Sequence, residues 1–357
     1  MAVVAMEEEA LNRVMTSAGE DTAILGVEPE RIFYAINRGL APNYLRGYRD
    51  AVNHLYEKST GKELLAEFEQ ETCFADDAQS TWGLKGTKVI NSRYTGQGIK
   101  IAVLDTGMDL QHPDFRGRSI VSKSFVPGQE VQDGNGHGTH CIGTACGNKD
   151  RNGRRYGVAY QSTIYAGKVL SNSGSGRTSW IMAGMEWAIA NGCQVISMSL
   201  GNIVSTPSTA YENVGRRALQ NGSLIIAAAG NHRNSVPNPP GTVGQPANSL
   251  SIMAVGAVNN CLLLAPFSTR SGTSLGANVD IVAPGVGVYS SVPVNQGSYR
   301  VFNGTSMATP HVAGIAALYA ESSGIKGAQL WQLLISSALR LSIPAIDIGS
   351  GLAQVSK

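Results

Sequence analysis

The ten residues GIKIAVLDTG, Gly98 to Gly107, decide how the rest of the chain is read. Ile101, Ala102, Val103 and Leu104 follow one another without a polar residue, and the run ends on Asp105 and a glycine turn. A strand that left one face in water would alternate apolar and polar; this one does not, so both its faces must be covered. The same rhythm returns in STIYAGKVL (162–170), CQVISMSLG (193–201), SLIIAAAGN (223–231) and LSIMAVGAV (250–258). Helical stretches lie between these runs. In TSWIMAGMEWAIANG (178–192), Ile181, Met185 and Ala188 fall near a helical repeat that stops at Gly192. Strands alternating with helices predict an α/β fold: a doubly wound, mostly parallel sheet with helices on both faces. In such folds function collects at the carboxyl ends of the strands.

Around TCFADDAQST (72–81) this rhythm gives way, and a boundary is placed between residues 77 and 78. The front segment, 1–77, reads as a small α+β unit, with one strand in VEPERIFYAINRG (27–39) and helix in residues 43–71. It carries 15 acidic against 7 basic side chains, a net −8, which leaves +10 on residues 78–357. The two parts are therefore of opposite charge, as an intramolecular contact would use. With 357 residues, 43% hydrophobic, 15% charged and 42 glycines, the chain can bury a large core with many tight turns.

Several classes of function are excluded or disfavoured. No basic cluster interleaves with aromatics, so nucleic acid is not an expected partner. No apolar run reaches the length of a membrane span. The opening MAVVAMEEEALNRV turns acidic at Glu7, unlike a secretory leader. As written, the expected location is cytoplasmic; the alternative is an exported protein whose signal is absent from this chain. The five cysteines, Cys73, Cys141, Cys146, Cys193 and Cys261, are odd in number and show no paired metal-ligand spacing, so free buried thiols are expected.

Three residues at or near strand and helix ends carry chemistry only in combination. Asp105 alone would be a turn or capping acid, and Ser306 in NGTSMATP (303–310) alone would be a helix cap. His137 lies in DGNGHGTHCIGTACG (133–147), three residues before His140. The HGTH spacing lacks the HExxH pattern of a zinc hydrolase, so His140 reads as a structural histidine beside a functional His137. Together, Asp, His and Ser orient an imidazole, let it take the hydroxyl proton and make serine nucleophilic. Asn231, in IIAAAGNHRN (225–234), places an amide donor where an oxyanion could develop.

AVLDTGMDLQHPDF, DGNGHGTHCIGTACG, AAAGN and FNGTSMATPHVAG resemble the four signature segments of the subtilisin-like serine proteases, in that family's order, and the likeness extends over about residues 78–345. The resemblance implies a serine endopeptidase with Ser306 as nucleophile, His137 as general base and acid, Asp105 as its orienting carboxylate and Asn231 as oxyanion donor. It also implies two edges, Gly174-Ser175-Gly176 and Ser199-Leu200-Gly201, between which an extended peptide or protein substrate lies as an added strand. Gly244 matches the floor of the pocket for the residue before the cleaved bond, which implies a preference for large apolar side chains there. Cys141 matches a free cysteine that the thermitase and proteinase K branch carries beneath the active site, and packing is favoured over a nucleophilic role.

A structural calcium is implied through Gln79, Asp114, Asp150 and Asn152, although Lys149, Arg151, Arg154 and Arg155 crowd that loop. No cofactor is expected for catalysis. Residues 1–77 stand where the family's inhibitory propeptide stands, with self-cleavage expected between about Glu71 and Gln79; the competing expectation is an accessory segment without an inhibitory role. Two other functions share the scaffold: a dedicated processing protease for one precursor, and a catalytically silent module that grips extended peptides.

Overall fold

Strands that are apolar on both faces force a layered architecture, because each face needs its own cover. The computed structural model describes residues 28–35, 73–234 and 241–356. In chain order its elements begin β1 (Ile32–Ala35), α1 (Trp82–Gly86), β2 (Lys100–Asp105), β3 (Ile120–Ser124), α2 (His137–Cys146), β4 (Thr163–Lys168), β5 (Ser175–Arg177) and α3 (Thr178–Ala190). They continue with β6 (Val195–Met198), β7 (Leu200–Gly201), α4 (Thr209–Gln220), β8 (Leu224–Ala228), β9 (Met253–Val258) and β10 (Ile281–Pro284). The last are β11 (Val288–Ser291), β12 (Tyr299–Phe302), α5 (Thr305–Ser323), α6 (Gly327–Ser336) and α7 (Ala345–Ile348).

The central sheet has seven strands in the order β10-β9-β8-β6-β2-β4-β3, all paired in parallel. The expected doubly wound α/β fold is therefore what the chain forms. Consecutive residues point to opposite cores. Ile101 and Val103 face one cluster with α2, α5 and α6, while Ala102 and Leu104 face the other with α3 and α4. The same division separates Leu224 and Ile226 from Ile225 and Ala227 in β8. Each fully buried aliphatic side chain contributes about 1.5–3 kcal/mol, so neither face of these strands could be left open to water.

The order of strands reverses at β2, with β4 on one side and β6 on the other. Asp105 ends β2 at this switch point, the location at which such sheets build their sites. Helix α5 runs buried from Thr305 to Ala320 against this sheet. Its small residues permit close approach: a Cβ on Gly314 would lie 2.4 Å from the Cβ of Val158.

Several expectations are corrected. Cys73 and Cys261 form a disulfide across 188 residues, while Cys141, Cys146 and Cys193 are free and buried. No local spacing could reveal a pair that only the tertiary fold brings together. Residues 73–77 are already bonded to the body, through that disulfide, Phe74 N to Asn260 O (2.8 Å) and Trp82 N to Asp76 Oδ1 (2.7 Å), so the body is engaged before residue 78. Pro310 is the sixth residue of α5, beyond the helix's first turn. In the front segment the strand is present as β1; the helices expected in 43–71 lie outside the described residues.

Candidate active site

Asp105 closes β2 and His137 opens α2. Their hydrogen bond joins His137 Nδ1 to Asp105 Oδ1 at 2.8 Å, and the same oxygen accepts the Thr106 amide at 2.7 Å. Both side chains are buried. Burial opposes a charged imidazole, yet the Asp105 carboxylate outweighs it and holds the His137 pKa well above its ordinary value. Cys141 Sγ lies 3.8 Å from Nδ1, and burial pushes its thiol up, so at neutral pH it is an uncharged neighbour. With Nδ1–H committed to Asp105, Nε2 is the basic nitrogen. It is buried and lacks a hydrogen-bond partner among the described residues.

Ser306 is the second residue of α5, and its environment explains Pro310. A proline has no N–H to give to the carbonyl four residues earlier, which here is that of Ser306. That carbonyl instead accepts the Ser199 hydroxyl at 2.7 Å and the Cys141 thiol at 3.6 Å. In return Ser306 Oγ donates to Ser199 O at 3.0 Å. The resting hydroxyl therefore faces Ser199. A contact with Nε2 would need that hydroxyl to turn, and in such sites it commonly tightens only with substrate.

Asn231 follows Gly230 at the end of β8. Its Oδ1 accepts both the amide and the hydroxyl of Thr305 at 2.9 Å, so the orientation of its amide is fixed and Nδ2 is its donating end. Gly230 has φ +124, and a Cβ there would meet the His232 ring at 2.7 Å, so the turn requires glycine. The Ser306 N–H, at the amino end of α5, is the second donor that a developing oxyanion could use.

The two segments expected to grip substrate, 174–176 and 199–201, flank a single strand. It is the chain's own β1, antiparallel to both β5 and β7. Phe33 pairs with Gly176, Tyr34 with Ser175 and Gly201, and Ala35 with Leu200, while Ala35 N donates to Gly174 O at 2.8 Å. Phe33 is fully buried, edge-on to Tyr211 with ring centroids 5.5 Å apart. Gly244 is buried too; a Cβ there would lie 1.9 Å from the carbonyl oxygen of Asn202, just after Gly201, so glycine is required for that approach.

The four expected calcium donors are either exposed or already bonded to protein groups. Gln79 and Asn152 are exposed. Asp114 accepts the hydroxyls of Tyr156 (2.8 Å) and Tyr299 (2.9 Å), and Asp150 accepts that of Tyr289 (2.9 Å) and the amides of Asn152 and Arg154. The Arg154 guanidinium lies 3.4 Å from Asp150 Oδ2 and 4.1 Å from the centroid of the Tyr289 ring. A cation's place beside Asp150 is thus taken by Arg154, and calcium is not fitted by these four residues. Among the described residues, the one group of three or more acidic, histidine or cysteine donors close enough to share a metal is Asp105, His137 and Cys141. Two of those three form the acid–base pair described above.

His140 is structural, as expected. Its Nε2 lies 3.1 Å from Val288 O, its ring stacks on Phe302, and burial lowers its pKa to about 3. His311 bonds Met307 O, and burial lowers it to about 4, so it is no base. Sequence reasoning missed Thr305, which clamps Asn231, and the buried Lys168, whose signal was a lysine inside the apolar run STIYAGKVL. It also missed Thr106 and Asp133, both buried beside the pair.

Comparison with known proteins agrees with this geometry. The pattern of the subtilase family, peptidase S8, matches residues 96–351. Subtilisin of Bacillus pumilus is 46% identical over 237 residues, which is 66% of this chain and 81% of that protein. Subtilisin NAT of Bacillus subtilis subsp. natto is equally similar over the same length, 58% of its own chain. Subtilisin DY of Bacillus licheniformis is 41% identical over 274 residues, covering 76% of this chain and 94% of that protein.

Proposed function

Because the chain belongs to the subtilase family of serine endopeptidases, we propose that it cleaves peptide bonds through Ser306, His137 and Asp105, and that residues 28–35 occupy its cleft as an intramolecular inhibitor. In this reading Ser306 Oγ leaves Ser199, passes its proton to His137 Nε2 and attacks the carbonyl. Asp105 stabilises the imidazolium that forms, and Asn231 Nδ2 with the Ser306 N–H receives the oxyanion. His137 then protonates the leaving amine, and water, activated by the same imidazole, hydrolyses the acyl-enzyme. A large apolar residue before the cleaved bond is preferred, since Gly244 contributes no side chain to that pocket. Arg154 and three tyrosine hydroxyls satisfy Asp150 and Asp114, so that corner of the domain holds without calcium.

The observation that carries the reading is the register of β1. Main-chain pairing on both sides is how a substrate strand is gripped, and buried Phe33 supplies an apolar anchor. Two carboxylates fasten the strand's upstream end. Glu28 accepts the Ser208 hydroxyl and the Ala210 amide at the start of α4, and Glu30 accepts the Ser179 hydroxyl at the start of α3 and pairs with Arg177 at 3.3 Å. Negative charge is favoured at both helix starts. Ala35 lies opposite Leu200, so the chain heads toward Ser199 and its partner Ser306. In this reading self-processing is expected just beyond Ala35, in place of the range Glu71 to Gln79. The Cys73–Cys261 disulfide favours an oxidising compartment, hence the exported alternative over the cytoplasm.

The test compares the full chain with its Ser306→Ala form. Amino-terminal sequencing and hydrolysis of peptides varied at the residue before the cut are the measurements. An intact wild-type start identical to that of Ser306→Ala would remove self-processing. Wild-type hydrolysis no faster than that of Ser306→Ala would remove the peptidase itself.

A further inference from the structure

We propose that Thr106 and Asp133 are positioning residues, a buried junction that fixes the start of the His137 helix onto the end of the Asp105 strand. The inference rests on the peptidase reading for its consequence in rate and on geometry alone for its consequence in structure.

The catalytic pair spans two elements that are not hydrogen-bonded to each other as a sheet would be. Asp105 is the last residue of β2 and His137 the first of α2, 32 positions apart. Something must set the distance between those ends. Thr106 is held at three points. Its amide donates to Asp105 Oδ1 at 2.7 Å, its carbonyl accepts from Lys168 Nζ at 2.5 Å, and its hydroxyl is shared between strand and helix. That hydroxyl accepts the Gly138 amide at 2.8 Å and donates to Asp133 Oδ1 at 2.8 Å.

Asp133 completes the clasp from the helix side. Oδ1 also accepts the amides of Asn135 (3.0 Å) and Gly136 (2.8 Å), while Oδ2 accepts the amide (2.8 Å) and hydroxyl (2.7 Å) of Thr139. Two of the otherwise unpaired first-turn amides of α2, those of Gly138 and Thr139, are thus bonded to Thr106 and Asp133. A carboxylate at that end is also favoured by the helix dipole. Asp133 is 1% exposed and Thr106 fully buried, so water cannot substitute for either. The approach leaves no slack. A Cβ on Gly138 would lie 2.2 Å from Gly107 O and 3.0 Å from Thr106 Oγ1, so the helix start rests directly on the residues after Asp105.

Removing the Thr106 hydroxyl leaves the Gly138 N–H without a partner, takes one of three donors from Asp133 Oδ1 and loosens the Asp105–His137 contact. The groups that face His137 are Asp105 from β2, Cys141 and His140 from its own helix, and, bonded through Thr106, Lys168 of β4 and Asp133. None of these is changed by the substitution, so a change in His137 titration reports the contact itself.

The experiment uses the full chain in a Ser306→Ala background, where self-digestion is absent, and follows the His137 imidazole by NMR across pH. Thr106→Val is expected to move the His137 pKa down toward its ordinary value, and Thr106→Ser to keep it. Thr106→Ala, which cannot clash, is the second hydroxyl-free variant should valine impair folding. In the active background, kcat on a short peptide is expected to fall about 10- to 100-fold per folded site with KM little changed, and Thr106→Ser to restore it. An unchanged His137 titration in both hydroxyl-free variants overturns the junction, whether or not the protein proves to be a peptidase. A loss of rate accounted for entirely by unfolded protein overturns it as well. Failure of the peptidase reading is seen separately, as equal hydrolysis by wild type and Ser306→Ala.

Discussion

Replacing Arg154 by methionine should destabilise the catalytic body more than removing calcium does. The guanidinium stands 3.4 Å from the buried Asp150 carboxylate, 3.8 Å from Asp76 and over the Tyr289 ring at 4.1 Å. Taking away one partner of a fully buried pair costs about 3–5 kcal/mol. Arg154 keeps 25% of its side chain in water, which reduces the loss to roughly half that value. The ring contact adds about 0.5–1 kcal/mol. Asp150 keeps its bonds to Tyr289 and to two amides, which limits the damage. The sum is about 2–3 kcal/mol, or ~6 °C in Tm for a domain of this size.

The assay is calorimetry of Ser306→Ala proteins at one scan rate, since irreversible unfolding makes Tm depend on rate. Each protein is scanned with EDTA and with excess calcium. An ion held at a thousand times its Kd would contribute about 4 kcal/mol, a shift of ~8 °C or more. The expected result is a Tm that moves by less than about 1 °C between EDTA and calcium, together with the drop in Arg154→Met. A fall of several degrees in EDTA that calcium reverses, or an Arg154→Met protein as stable as its parent, would show that Arg154 does not hold that place.

Four further outcomes are expected. Asn231→Ala should lower kcat by about 10²–10³ with KM little changed, the size known for the oxyanion asparagine of subtilisin itself; a loss confined to KM would contradict the role. Because the folded pKa of His137 is raised above 6.5, activity should rise with pH through an acid limb above that value, and Asp105→Asn should move the limb down. The stability contributed by the protonated His137–Asp105 pair has the opposite sign: it is fully present below 6.5 and is lost as pH rises through the raised value, which denaturation of Ser306→Ala across pH will show or refute. Phe33→Asp should free the cleft, giving a faster initial rate from unprocessed chain on a peptide substrate, since it places a charge where a fully buried ring now sits; an unchanged initial rate would argue against β1 as inhibitor.

Much of the site was legible in the linear chain because its motifs are local. Asp105, His137, Asn231 and Ser306 each sit where an apolar run or a helix begins or ends, and those boundaries follow from periodicity and glycine placement. Residues that act through a distant partner were harder to find. Thr106 and Asp133 lie 27 positions apart and look like ordinary turn residues until β2 and α2 are packed. The consequence of Pro310 for the Ser306 carbonyl needs the helix register and Ser199 together.

Calcium marks a different limit. The resemblance implied calcium and the loop arginines were visible as competitors, yet which cation stands beside Asp150 is decided by where side chains reach. Arg154 comes within 3.4 Å of Asp150, and three tyrosine hydroxyls, two from the distant β11–β12 hairpin, reach Asp114 and Asp150. The disulfide and the strand in the cleft belong to the same category, each joining residues more than 140 positions apart.

The continuous apolar runs of the chain demand cover on both faces and so fix the layered sheet, along which Asp105, His137, Asn231 and Ser306 fall in order near strand ends or helix starts. Only the tertiary structure decided what lies in the cleft, which cation meets Asp150 and what holds Asp105 against His137. Those are contacts between elements, and their distances come from packing that no stretch of chain specifies alone.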